Sequence, residues 1–381
     1  MEFINCNIDE FILLTKQKTV VCYGTVSYLQ ELCIRFKDYG LLHNIDYVID
    51  DIAGGKTIDL DGIQKPFMTF KCFLAQNSEK DYAMFFSDLK SLVDFMRTDN
   101  IVPKNIMIFV GNFMAHNPPI YNLPESDLET GSSRIPKILH YCWFGGNDFP
   151  QLYKNCINSW KIFCPDYEII EWNENNYDVT KNQFMYEAYQ NKKWAFVSDF
   201  VRLDVVYNYG GCYLDSDVEL IKPLDRFLFD VGFCDSYRPG EVGFAVFGAI
   251  AGHKLVRELR DIYDDMSFVN KDNTFNTKPA PEYLKQYFEK CGMSTENKVQ
   301  KINDMTIYPT DVFSPLQANL RVLCFTEKTH AIHHYGWSWG SDERISKKYL
   351  DVIESRKFIQ QFSATNIYDY PLPFEKPVTI K

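Results

Sequence analysis

Two periods of apolar residues alternate along residues 1–117. Thr19–Tyr23 is a β-type run closing on Gly24, and Val26, Leu29, Leu32, Cys33 and Phe36 recur at helical spacing over Val26–Phe36. A second β-type run, Tyr47–Ile49, closes on Asp50-Asp51, and a helix over Asp88–Arg97 and a strand over Ile106–Val110 follow. Strand, glycine turn, helix and acid-terminated strand is the opening of a Rossmann-like unit. Only Gly24 stands where a dinucleotide fingerprint needs three glycines, so packing or partner binding is expected of this domain ahead of cofactor binding. From Asn117-Pro118-Pro119 to Gly131-Ser132-Ser133 the periodicity disappears among Pro, Ser and acidic residues, which reads as a linker over 118–133.

Beyond the linker the α/β pattern resumes. The apolar spacing predicts a strand over Ile135–Trp143 ended by Gly145-Gly146, a helix over Pro150–Phe163 and a strand over Tyr167–Trp172. Lys193–Tyr209 reads as an amphipathic helix with Phe196, Phe200, Leu203, Val206 and Tyr207 inward. It stops at Gly210-Gly211, where a glycine can take a left-handed C-cap. The short strand Cys212–Leu214 then delivers Asp215-Ser216-Asp217. Residues 346–381 carry helical spacing at Tyr349, Val352 and Ile353 and then a Pro-containing tail, suited to capping or assembly.

Composition narrows the partners. With 40 Lys+Arg against 51 Asp+Glu, the 381-residue chain has a formal charge of −11, which argues against a nucleic-acid footprint. An anionic ligand must therefore be held by local donors or by a cation. The longest apolar run, near Val242–Ala251, is broken by glycines and falls short of the ~20 residues of a spanning helix, so membrane association is expected to be peripheral at most. Met1-Glu2-Phe3-Ile4-Asn5 lacks the features of a signal peptide, so the expected location is cytoplasmic, with the 11 cysteines reduced. None of them forms a C-x-x-C pair, which points to small core residues rather than to zinc or a disulfide framework. Nothing in the pattern sets the oligomeric state.

The chemistry concentrates after the short strand. Asp215 and Asp217, two residues apart on a strand exit, can converge on one hard divalent cation, and such a cation would bridge the oxygens of a diphosphate. An isolated Asp-x-Asp is more often a solvated turn, and the preceding helix is what strengthens this one. Asp199 and Arg202 lie at i and i+3 on one face, able to pair with each other or to reach a shared ligand, with the guanidinium offered to ribose or phosphate. Glu241, within the glycine-rich Gly240–Gly252, is a candidate acceptor-side carboxylate. A buried strand with packing glycines is the plainer reading of that stretch.

Three ordered stretches carry a resemblance to a known family. They are Ile135–Gly146, then Ala195–Arg202 with Tyr207–Val218, and His333-His334-Tyr335-Gly336-Trp337-Ser338-Trp339. Together they resemble the retaining GT-A glycosyltransferases related to the yeast initiating α-1,6-mannosyltransferase and to bacterial capsular polysaccharide glycosyltransferases, with clostridial glucosylating toxins more distant. Residues 1–130 are not covered. The resemblance implies an α/β chain in which a GT-A domain over 134–345, with a Rossmann-like mixed sheet, follows the smaller Rossmann-like domain. It implies transfer of a hexose, with retention, from a UDP- or GDP-hexose to a glycan or lipid-linked acceptor in capsular or other surface polysaccharide synthesis. Asp217 is similar to the family's direct ligand of Mn²⁺ or Mg²⁺, and Asp215 to the residue touching ribose, sugar or metal. Asp199 and Arg202 match positions holding the donor sugar and ribose, and Trp143 an aromatic that stacks on the base. His334, or failing that His333, would supply a further metal ligand, which favours manganese, with Ser338 and Trp339 at the β-phosphate.

Two rivals remain. A haloacid-dehalogenase-type phosphohydrolase would use Asp215 as nucleophile and Asp217 as acid and base, although Glu219 after Val218 and the short preceding strand fit it poorly. A non-catalytic sugar-nucleotide-binding protein would keep the site without the turnover.

Overall fold

The computed structural model describes residues 2–4, 6–24, 26–50, 55–77, 81–96, 106–119, 121–124, 133–317, 322–324 and 326–336. Ser338, Trp339, the 346–381 stretch and part of the expected linker lie outside them. The described residues form two compact units, dividing between Tyr121 and Asn122.

The first unit contains seven strands: β1 (Glu2–Phe3), β2 (Thr19–Tyr23), β3 (Tyr47–Ile49), β4 (Thr57–Leu60), β5 (Ile63–Met68), β6 (Tyr82–Phe86) and β7 (Met107–Val110). Helices α1 (Ile8–Thr15), α2 (Val26–Arg35), α3 (Leu41–Asn44), α4 (Phe70–Asn77), α5 (Leu89–Met96) and α6 (Gly111–His116) alternate with them. The sheet runs β1-β7-β6-β2-β3-β5-β4 and is parallel except at the β4–β5 hairpin, so the strand order reverses between β2 and β6. In this crevice Gly24 has φ +144°, and a Cβ on it would lie 2.1 Å from the Ser87 hydroxyl. The glycine is thus required by a neighbouring side chain. Asp88 accepts the Ser91 N–H at 2.7 Å and caps α5.

The second unit is built on β8 (Ile138–Cys142), β9 (Glu168–Trp172), β10 (Gly211–Leu214), β11 (Val218–Leu220), β12 (Gly232–Arg238), β13 (Glu241–Ala249), β14 (Gln300–Ile302), β15 (Met305–Tyr308), β16 (Leu316–Gln317), β17 (Val322–Leu323) and β18 (Ala331–His333). Its helices are α7 (Gln151–Phe163), α8 (Gln183–Gln190), α9 (Trp194–Tyr209), α10 (Lys254–Asp261), α11 (Ala280–Lys290) and α12 (Thr310–Phe313). The main sheet runs β14-β15-β12-β13-β10-β8-β9. It is mixed: β9, β8 and β10 are parallel neighbours, and β13 is antiparallel to both β10 and β12. β11 and β18 form a separate antiparallel pair. The chain is therefore a mixed α/β protein.

Two expectations are corrected here. Helix α9 is not amphipathic. Phe196, Val197 and Phe200 to Val206 are all buried, Arg202 and Asp204 included. The helix is enclosed because α8 and α10 pack on it while β8, β10 and β13 cover the side bearing Arg202. Gly210, at φ +67° and ψ −170°, adopts an extended glycine-only conformation rather than a left-handed cap. It turns the chain straight into β10, whose first residue, Gly211, has φ +99° and would place a Cβ 2.8 Å from the Ile138 carbonyl. Among the described residues no helix is long and apolar enough to cross a membrane.

Candidate functional site

The site is built on the turn between β10 and β11. The Asp215 N–H donates to the Ala245 carbonyl at 2.8 Å, extending the β10–β13 ladder by one residue, and the Val218 N–H donates to the Asp215 carbonyl at 2.9 Å. Asp215 and Asp217 therefore leave the end of a buried strand on a fixed turn. Behind them stands Arg202 of α9, only 9% exposed. Its Nη1 donates to Asp215 Oδ2 at 3.3 Å and to the Phe244 carbonyl at 3.1 Å, and its Nε to the Ser198 carbonyl at 3.2 Å. Its Nη2 lies 3.2 Å from Asp215 Oδ1 and 3.2 Å from Asp199 Oδ1. Nε and Nη1 are thus hydrogen-bonded within the protein, and Nη2 is ion-paired with Asp199 and Asp215. Arg202 thus holds Asp215 and pairs with Asp199, the first of the two arrangements its helical spacing allowed. The guanidinium also lies 5.0 Å over the Tyr213 ring, whose hydroxyl donates to Asp215 Oδ1 at 3.1 Å.

Asp217 faces the other way. β11 pairs with β18 with Val218 opposite His333, which brings His333 Nε2 to 3.4 Å from Asp217 Oδ1. The Gly336 N–H donates to Asp217 Oδ2 at 2.7 Å. Ligand atoms of Asp215, Asp217 and His333 all lie within 4.8 Å of one another. The histidine of this cluster is His333. Successive residues of an extended strand point to opposite faces, so His334 turns away and its Nε2 pairs with Glu219 Oε2 at 2.9 Å. That corrects the preference for His334.

Burial and charge oppose each other across the cluster. Burial pushes the Asp215 carboxyl above the ordinary range although Arg202 draws it down. Asp217 is also buried, yet the His333 charge, the His333 hydrogen bond and the Gly336 N–H hold it below that range. His333, which burial alone would depress, is raised by Asp217, Asp215 and Asp235. Asp199 is pushed by burial up to about 6, with Arg202 opposing. Acid outnumbers base here, and two carboxylates with one imidazole are donors a divalent cation accepts, Mn²⁺ more readily than Mg²⁺. Among the described residues the buried His333 Nδ1 has no hydrogen-bond partner.

A polar cleft of about 360 Å³ opens at the carboxyl ends of β8 and β9, lined by Trp143, Phe149, Lys154, Glu171, Asn173 and Glu174 among others. Trp143 Nε1 donates to the Asn147 carbonyl at 2.7 Å. One face of its ring is stacked on Phe149 at 4.2 Å. Tyr153 connects the cleft to the carboxylates: its ring lies 5.3 Å from Trp143, and a Cβ on Gly336 would fall 2.4 Å from its hydroxyl. Glu241 is taken up structurally, accepting from Tyr237 Oη at 2.6 Å and Lys285 Nζ at 3.0 Å.

Residues 150–233 match the family model of the glycosyltransferase sugar-binding region containing a DXD motif. Over this segment the chain resembles DXD-type glycosyltransferases. The chain is similar to inositol phosphoceramide mannosyltransferase 3 of Schizosaccharomyces pombe, 28% identical over 34% of this chain and 37% of the relative. It is equally similar, at 28% identity over 35% and 37% of the two chains, to the mannosyl phosphorylinositol ceramide synthase SUR1 of Saccharomyces cerevisiae. The chain thus spans little more than a third of the length of the curated relatives it matches. Among solved structures, a glycosyltransferase involved in glycosylation of the major capsid of PBCV-1 aligns at TM-score 0.32 and 9% identity, over 57% of this chain and 99% of that one.

The sugar-binding region contains Asp199, Arg202, Asp215 and Asp217, while Trp143 and His333 lie on either side of it in sequence. Three participants were not foreseen. Tyr213 carries its hydroxyl to Asp215, Phe244 gives its carbonyl to Arg202, and Asp235 lies fully buried on β12. The one sequence signal is at Asp235, an acid placed directly after the apolar run Val231-Gly232-Phe233-Cys234.

Proposed function

We propose that the chain is a metal-dependent retaining glycosyltransferase that moves a hexose from a nucleotide diphosphate sugar to a glycan or lipid-linked acceptor. The observation that carries this is the convergence of Asp215, Asp217 and His333 on one point at a strand exit inside a glycosyltransferase sugar-binding region. Asp217 and His333 would hold Mn²⁺ directly, with Asp215 oriented beside them by Arg202. A cation bound there supplies charge neutralisation for a departing diphosphate. The chain's own residues do the positioning. Arg202 fixes Asp215, Asp199 offers the carboxylate next to it for a sugar hydroxyl, and Trp143, which lines the cleft, suits a base. GT-A architecture over 134–345 and retention follow from the resemblance of the ordered motifs. The yeast relatives' names make a mannosyl donor and an inositol phosphoceramide acceptor the first pair to test, while the motif resemblance adds surface polysaccharide as an acceptor class.

A thermal-shift screen of UDP- and GDP-hexoses with and without Mn²⁺ tests the proposal, because a ligand that binds only the native state raises its apparent stability. The expected result is a shift with at least one donor that requires the metal. No shift with any donor contradicts it. The phosphohydrolase rival is disfavoured by one observation: both Asp215 oxygens face the Arg202 guanidinium, which leaves a poor nucleophile. A phosphorylated Asp215 during turnover would restore that rival.

A further inference from the structure

Strand β13 breaks step with β12 beside the site. The two strands pair from Gly232 opposite Ala249 to Cys234 opposite Phe247 and resume at Ser236 opposite Val242. Two steps along β12 therefore face five along β13, and Gly243, Phe244 and Ala245 form a bulge. It is strained, because buried Phe244 sits at φ +52°, a conformation costing a non-glycine residue of order 1–3 kcal/mol. Two carbonyls of the bulge face the site: Phe244 O accepts from Arg202 Nη1 and Ala245 O accepts from the Asp215 N–H. Asp235 stands where the ladder is interrupted. Its Oδ1 accepts the Val246 N–H at 3.4 Å and its Oδ2 accepts the Ser314 hydroxyl at 3.2 Å. A Cβ on Gly243 would lie 3.0 Å from Oδ2, so the carboxyl lies directly against the bulge.

We propose that Asp235 is a positioning residue of this site. It replaces the missing ladder partner, holds the Gly243–Ala245 bulge in its strained shape, and so seats the Arg202 fork and the Asp215 backbone. Its consequence for ligand binding rests on the reading of Asp215, Asp217 and His333 as a cation site. Shape and charge are separable, since Asn at this position keeps an acceptor for Val246 and offers its amide to the Ser314 oxygen.

The test measures Mn²⁺ affinity of the full chain by titration calorimetry, well below each variant's unfolding midpoint. Asp235→Ala is expected to weaken Mn²⁺ by about 10–100-fold, the usual effect of losing a group that orients a ligand, and Asp235→Asn by less than about threefold. Leu255→Ala, a core truncation on α10, controls for stability: it should lower the midpoint and bind Mn²⁺ as the wild type does. Wild-type affinity in Asp235→Ala overturns the proposal, and equal losses in both Asp235 variants overturn it by assigning the effect to charge. A wild type that binds no Mn²⁺ refutes the cation reading instead. The clamp is then decided by amide hydrogen exchange at Val246 and Asp215, at least about tenfold faster in Asp235→Ala alone if the proposal holds and unchanged if it fails.

Discussion

Replacing Arg202 by Lys keeps a positive charge between Asp199 and Asp215 and removes the fork. Arg202 makes three hydrogen bonds, to Asp215, the Phe244 carbonyl and the Ser198 carbonyl, and its Nη2 is ion-paired with both Asp199 and Asp215. An ammonium has three N–H groups and no planar pair, so at least two of these contacts are lost. The Ser198 carbonyl lies within a helix and loses little. The other acceptors are enclosed, and each buried group left unmatched costs about 1–3 kcal/mol, giving about 3 kcal/mol for the substitution. In a unit of this size that lowers Tm by about 6–12 °C. The assay is thermal unfolding followed by circular dichroism in excess EDTA, so that no bound cation contributes. Arg202→Met should cost more, because it leaves two buried carboxylates without a counter-charge. A Tm for Arg202→Lys within about 1 °C of the wild type would refute the claim that the fork, rather than the charge, holds this site together.

Other outcomes follow from the same geometry. His140 is locked as a neutral ring, with Nε2 on the Gly210 carbonyl at 2.8 Å and Nδ1 accepting from Trp172 Nε1 at 3.1 Å, and burial lowers its pKa to about 4. The unfolded chain therefore binds the extra proton first, and this stabilisation, full above the ordinary histidine pKa of ~6.5, is lost as pH falls towards 4. In urea unfolding the stability gap between wild type and His140→Gln should narrow by about 3 kcal/mol from pH 7 to pH 4, and a constant gap would contradict it. His333→Ala should weaken Mn²⁺ by more than about tenfold while His334→Gln changes it by less than about twofold, as read by calorimetry. Equal losses would return His334 to the site. Gly211→Ala, with φ +99° and a Cβ 2.8 Å from the Ile138 carbonyl, should cost more than Gly146→Ala, whose φ is +64° in open space and whose cost is about 1 kcal/mol. The two midpoints decide it.

The readable parts of this molecule were local. Asp215-x-Asp217 could be found from sequence because both residues leave one strand, and Asp199 and Arg202 because helical spacing puts them on one face. The β2–α2–β3 unit was visible for the same reason. What needed tertiary packing was hidden. Sequence could not show that α9 is enclosed on nearly every side, so Arg202 looked like a boundary residue offering its fork to a ligand. His333 and His334 are chemically identical neighbours, and only the pairing of β18 with β11 decides which one turns to Asp217. Asp235 acts through a bulge created by the mismatch of two strands, which no local pattern encodes. In the first unit α1, α3, the β4–β5 hairpin, α4 and β6 were among the elements that went unseen, and Gly24 resembled the relic of a phosphate loop although Ser87 is what requires it.

If Asp217 and His333 hold a cation that makes a nucleotide sugar reactive, turnover depends on both the metal and Asp217. Donor hydrolysis by the wild type and by Asp217→Ala, followed over a Mn²⁺ titration with the donor found in the thermal-shift screen, tests it most directly. The wild-type rate should rise with Mn²⁺ and disappear in EDTA, and the Asp217→Ala rate should be at least about a hundredfold lower at every concentration. Metal-dependent turnover that survives intact in Asp217→Ala would contradict it.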